Sequence, residues 1–151
     1  MKKYLTKAEY KKSVKGLHTN WDNYEDRWLY HRQAIKWLKE LKPEKVLEIG
    51  GLGIKLREDS DTLDFDKRWH IEKKCTYNKD IREIPWGISK YDCIVALRVF
   101  HHTDIKKTFT EAKKHAPIII LALPSNFNIS ELPELDETIK FKPGSTIYLW
   151  K

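Results

Sequence analysis

Apolar residues recur along the chain at two different periods. In Tyr24–Leu41 (YEDRWLYHRQAIKWLKEL), Trp28, Ile35, Leu38 and Leu41 fall at helical spacing with charges between them, which predicts an amphipathic helix. Asp22 or Asn23 is placed to cap its start; Pro43 forbids its continuation and pushes Lys42 toward extended geometry. A short strand, Val46-Leu47-Glu48-Ile49, then runs into Gly50-Gly51-Leu52-Gly53. Further strands are predicted at Thr62–Asp66, near Cys75–Tyr77 with its end at Asp80, and at Tyr91–Leu97. Asp104 opens a second helix with Ile105, Phe109 and Ala112 on one face, closed by Pro117. Ile118–Leu123 is apolar throughout, as a strand covered on both faces must be. Glu137–Phe141 and Thr146–Trp150 flank the turn signal Lys142-Pro143-Gly144-Ser145, so the chain ends in a hairpin.

This order is an incomplete βαβ alternation. It predicts an α/β fold: a doubly wound, mostly parallel Rossmann-like sheet with a C-terminal antiparallel hairpin. Ligands of such sheets bind beyond the carboxyl ends of the strands, at the topological switch point. The strand ends to read are therefore Glu48–Gly53, Asp64–Asp66, Asp80 and Leu97–His102.

Composition narrows the class. A chain of 151 residues holds one domain, or a domain and a short head, and 40% apolar residues are enough for a core. The net charge of +7 is uneven: residues 1–45 carry twelve Lys/Arg against six acids, and six of those lysines lie in the first fifteen positions. The chain is accordingly divided into a basic N-terminal head, 1–23, and a single Rossmann-like domain, 24–151. Such a head is able to contact phosphates by counterion release, but a solvated, partly helical terminus is the favoured reading. Tyr4 and Tyr10 are too few for a base-stacking platform. Cys75 and Cys93 build no disulfide framework, which points to reduced thiols and a cytoplasmic protein. The longest apolar run is strand-sized and the N-terminus has no apolar core, so neither a membrane span nor a secretory signal is expected.

The chemistry gathers at the strand ends. Glycines after Glu48 allow a tight turn and let a ligand approach the backbone. Asp64 lies sixteen residues after Glu48, where an acid accepts hydrogen bonds from both hydroxyls of a ribose. Asp80 lies sixteen residues further on, placed to accept from an adenine amine while Ile81 or a neighbour packs on the purine face. Asp64 and Asp80 could each also be a cap or a turn residue; it is their joint placement that favours a site. Three acids suit a ligand with a ribose, an adenine and a cationic part, and do not suit a polyphosphate. The glycines at 50, 51 and 53 do not have the dinucleotide-binding spacing, and the ten residues between Gly53 and Asp64 leave little room for a helix to hold a pyrophosphate. A nicotinamide-dependent enzyme is disfavoured on that ground.

In these segments the sequence resembles the class I S-adenosylmethionine-dependent methyltransferases of the small methyltransferase-domain type. VLEIGGLG (46–53) is similar to the glycine-rich first motif and TLDFD (62–66) to the acidic second motif. NKDIREIPW (78–86) resembles the third strand's acid with the loop that passes the adenine, and YDCIVALRVFHHTD (91–104) the fourth-strand motif. The resemblance covers about residues 24–124. It implies S-adenosylmethionine as cofactor, with Glu48, Gly50, Gly51 and Gly53 near the methionine part, Asp64 on the ribose (Asp66 as a weaker contact), and Asp80 with Ile81 on the adenine. It also implies that His102 orients the turn after the fourth strand.

The implied reaction is in-line displacement of the methyl group onto an unidentified acceptor, governed by orientation and without a metal. No catalytic residue is assigned. His101, which would face the substrate, His31 and Tyr30 are the candidate bases. The Asp/Asn-Pro-Pro-aromatic run of base-amine methyltransferases and the Pro-Cys of cytosine enzymes are both absent, with Ala96-Leu97-Arg98-Val99 after the fourth strand. The acceptor wall is expected from residues 1–30 and from 124–136, with a small-molecule acceptor favoured and a partner subunit or nucleic acid left open. The alternative is a non-catalytic methyltransferase-fold protein that binds RNA or a protein through its basic head.

Overall fold

The computed structural model describes residues 2–15, 24–65, 75–142 and 144–151. Within them lie α1 (Lys7–Lys15), α2 (Tyr24–Leu41) and α3 (Ile105–His115), with strands β1 (Val46–Ile49), β2 (Asp61–Asp64), β3 (Tyr77–Asn78), β4 (Cys93–Leu97), β5 (Ile118–Pro124), β6 (Glu137–Phe141) and β7 (Ser145–Trp150). The strands form one sheet in the order β3-β2-β1-β4-β5-β7-β6. Its first five members pair in parallel, while β7 runs antiparallel to β5 and β6 antiparallel to β7. The doubly wound sheet with its terminal hairpin is the one the pattern predicts.

Strand periodicity sorts the core onto two faces. Ile120 and Ala122 of β5 join Trp28, Trp37 and Leu38 of α2. Ile119, Leu121 and Leu123 join Phe109 of α3 and Trp150 of β7. Each fully buried Leu or Ile contributes about 1.5–3 kcal/mol, so a strand covered on both sides has no place for a polar residue. Asp104 caps α3 by accepting from the Lys107 amide, and the helix stops before Pro117.

The N-terminal segment departs from the expected solvated terminus. Tyr10 is wholly buried, with its ring 5.5 Å from that of Trp28 and 4.6 Å from that of His31, and Val14 is buried beside it. The Leu5 amide donates to the Leu56 carbonyl at 2.8 Å, and Tyr4 makes an antiparallel bridge to Arg57. Lys7, Lys11, Lys12 and Lys15 are exposed. α1 is thus a core helix with a basic outer surface, because two apolar side chains at i and i+4 outweigh the charges around them.

Smaller differences follow from local hydrogen bonding. β2 runs Asp61–Asp64 and β3 only Tyr77–Asn78, so Asp80 lies beyond the end of its strand. Lys42 is not extended: its φ is +50° and its amide donates to the Leu38 carbonyl, which closes α2 with a left-handed residue. The expected capping residues Asp22 and Asn23, and Asp66, lie outside the described residues.

Candidate functional site at the carboxyl ends of β1 and β4

β1 and β4 lie side by side at the centre of the sheet, and the chain leaves both strands toward the same edge. Gly50, with φ +72°, follows β1 directly; a Cβ there would lie 2.5 Å from the Val99 side chain. Only glycine lets the two loops approach this closely. No helix follows β1. Two acids organise the loop instead. Glu48, buried at 5% exposure, accepts from the Leu56 and Arg57 amides at 2.7 and 3.2 Å. Asp64 accepts from the Leu52 amide at 3.0 Å and from the Phe65 amide at 2.8 Å. Burial raises the Glu48 carboxyl above its ordinary range, and the amide donors partly offset that. Arg57, 1% exposed, ties the loop's far end to the Pro43 and Glu44 carbonyls and to Asp59.

These constraints leave a cavity of 390 Å³ between the loops and α2. Glu48, Gly50, Gly51 and Asp64 line it together. Tyr30 and His31 of α2 and Arg98 and His102 after β4 also line it. His31 Nδ1 lies 2.7 Å from the Arg27 carbonyl, so Nδ1 carries the proton and Nε2 keeps a lone pair. Burial pushes the His31 pKa down to about 4, the Arg27 charge adds to this, and the hydrogen bond to the carbonyl opposes it. Leu52 and Arg98 have φ of +51° and +61°, two left-handed non-glycine residues on the wall of one cavity.

Three candidates sit elsewhere. Gly53 lines a separate depression with Tyr4, Leu5 and Lys55. Asp80 borders a neighbouring hollow with Phe65 and Ile84, and its carboxylate is clamped by Arg82 at 2.6–3.1 Å. That hydrogen-bonded pair holds Asp80 below the usual carboxylate range. Ile81 packs in the core on the α3 face, and its carbonyl accepts from the Trp86 indole at 2.9 Å. The two histidines are placed differently. His102 lines the cavity, whereas His101 tucks its ring 3.8 Å from that of His102 and meets the edge of Phe127. Burial, with the His102 and Arg98 charges, lowers the His101 pKa to about 4.

Arg98 is the lining residue that motif reading passed over. It stands one position past β4, where any side chain is aimed by the turn; its left-handed φ leaves no mark in the sequence. Residues 124–136 are not among those lining this cavity; Phe127, Ile129, Leu132 and Leu135 pack on the α3 face of the core.

Solved structures share this architecture. Magnesium protoporphyrin IX methyltransferase from Synechocystis PCC 6803, solved with bound SAM, aligns over 95% of this chain and 90% of its own at a TM-score of 0.63 and 14% identity. The N-methyltransferase NodS from Bradyrhizobium japonicum WM9, in complex with S-adenosyl-L-homocysteine, aligns over 93% and 96% at 0.65 and 14% identity. A SAM-dependent methyltransferase from Aquifex aeolicus aligns over 76% and 87% at 0.53 and 15% identity. The fold is the one these solved methyltransferases share. No family model matches the chain, and no curated protein matches it in sequence. The methyltransferase fold therefore stands on architecture, and the strand-end cavity occupies the position that such a doubly wound sheet reserves for its ligand.

Proposed function

We propose that the chain is an S-adenosylmethionine-dependent methyltransferase. The observation that carries this reading is the convergence of Asp64, the Gly50-Gly51 turn and α2 on one cavity at the β1/β4 fork. The donor set fits the cofactor: a carboxylate at the end of β2 for the ribose, exposed glycine backbone, and no helix N-terminus that would favour a pyrophosphate. Asp64 holds the ribose, and the Gly50-Gly51 backbone borders the methionine part. Glu48 shapes the loop through the Leu56 and Arg57 amides. Asp80 reaches an adenine once the Arg82 clamp opens. When bound, S-adenosylmethionine would supply a sulfonium methyl group open to in-line displacement by an acceptor's nucleophile, with S-adenosylhomocysteine as the product.

The chain's own contribution is alignment and desolvation. His31, neutral above its lowered pKa with a lone pair on Nε2, and His102 are placed to take the acceptor's proton. A small molecule is the favoured acceptor. The free Cys75 and Cys93 support a cytoplasmic setting; among the described residues no helix is long and apolar enough to cross a membrane.

Thermal shift tests the cofactor. S-adenosylhomocysteine at a hundredfold over its Kd stabilises by about 2.7 kcal/mol, and NAD leaves the midpoint unchanged. A shift with NAD and none with the adenosyl ligands would refute the assignment. The exposed lysines of α1 support a second reading, a non-catalytic relative that binds RNA or a protein there. Release of S-adenosylhomocysteine during turnover separates the two. Reversing Lys7, Lys12 and Lys15 to Glu abolishes RNA retention only on the second reading.

A further inference from the structure

A second cavity, of 290 Å³, abuts the first. The two share Arg27, Tyr30 and Arg98 as a common wall. The far side of the second cavity is the tip of the terminal hairpin, with Phe141, Lys142 and Ser145. Among its described lining residues stand the cations Arg98 and Lys142, with the exposed Asp26 as the acid.

Arg98 is held in place by its surroundings. Its left-handed backbone is pinned by the Arg98 amide donating to the Ala122 carbonyl at 2.7 Å. One guanidinium nitrogen donates to Ser145 Oγ at 2.9 Å and to the Gly144 carbonyl at 3.4 Å. Both partners are neutral, and among the described residues no carboxylate forms an ion pair with Arg98 or with Lys142. A half-buried guanidinium with its fork anchored at one end on neutral partners is arranged for an oxyanion. Tyr30 and Phe141 add ring surface to the same wall.

We propose that this second cavity is the methyl-acceptor pocket, and that the acceptor is a small molecule carrying an oxyanion, a carboxylate or a phosphate, which Arg98 and Lys142 bind. The inference rests on the methyltransferase reading for the word acceptor; the anion site itself does not depend on it. A charge anchored at Arg98 holds the rest of the molecule along the shared wall, next to the cavity that takes the methyl donor.

The test titrates benzoate, its neutral isostere benzamide, and inorganic phosphate into the full chain, with and without S-adenosylhomocysteine, followed by NMR. Benzoate or phosphate binds, and benzoate exceeds benzamide at least tenfold; which oxyanion binds more tightly identifies the source. Arg98→Gln lowers the affinity at least tenfold and Lys142→Glu severalfold. Lys106→Glu, the same charge change on the exposed surface of α3, leaves it unaltered. Lys142→Glu, on an exposed turn, keeps the test readable if Arg98→Gln does not fold. Binding of benzoate no tighter than that of benzamide, with no binding of phosphate, overturns the proposal. So does an equal loss with Lys106→Glu, which would mark general charge attraction. So does a loss of S-adenosylhomocysteine in Arg98→Gln as large as the loss of benzoate, which would give the guanidinium to the cofactor's carboxylate. If S-adenosylhomocysteine fails to bind the unaltered chain while the oxyanion binds, the methyltransferase reading falls and the anion site remains.

Discussion

At the scale of single residues, Gly50 and His31 make the sharpest claims. Ala at position 50 needs both a left-handed backbone and 2.5 Å between its Cβ and Val99, so Gly50→Ala lowers stability by about 2–4 kcal/mol, read as a fall in the urea midpoint. Asp64→Ala removes the carboxylate assigned to the ribose and weakens S-adenosylhomocysteine at least tenfold by calorimetry; unchanged affinity would take Asp64 out of the site. His31 sets a pH dependence. Its folded pKa of about 4 lies below the ordinary 6.5, so the unfolded chain binds the proton first. Stability is complete above about pH 6.5 and falls as pH drops toward 4, by about 1–3 kcal/mol for a partly exposed ring, with His101 acting in the same direction. His31→Gln flattens that profile in denaturation at pH 7.5 and pH 5. The acids at the strand ends were legible because their sequence positions fix where their backbone goes. What they touch was not: Arg82, two residues from Asp80, claims its carboxylate, and the Leu56 and Arg57 amides claim Glu48.

At the scale of elements, α1 separates charge from structural role. Its lysines read as a solvated head, yet Tyr10 and Val14 bury themselves against α2. Tyr10→Ala therefore costs about 3–5 kcal/mol, measured by chemical denaturation, whereas Lys7→Glu, on the exposed surface of the same helix, changes the midpoint little. Where periodicity was strong the elements could be read directly: α2 spans Tyr24–Leu41 as its spacing predicts, Asp104 caps α3, and the apolar run Ile118–Leu123 lies in the middle of the sheet. The short edge strand β3 was located only loosely, because two pairs with β2 hold it and two residues carry no period. Docking of a nine-residue helix depends on tertiary contacts that no local window contains.

At the scale of the whole molecule, the parallel half of the sheet and the antiparallel half meet at β5. The cavity at the β1/β4 fork belongs to the parallel half together with α2. The second cavity is closed by the hairpin tip between the end of β6 at Phe141 and the start of β7 at Ser145, and Arg98 stands between the two cavities. The doubly wound half was foreseeable from alternation of strands and helices; that Phe141, Lys142, Gly144 and Ser145 line the second cavity follows from the β5–β7–β6 pairing, which brings them back beside Arg98. This layout separates two traits genetically. Of the described tip residues Lys142 is exposed and Gly144 and Ser145 are half-buried, and the tip connects β7 to the edge strand β6, not to the loop that Glu48 and Asp64 organise. On the proposed reading of the two cavities, swapping those few residues redirects what the protein recognises while its donor half is inherited unchanged.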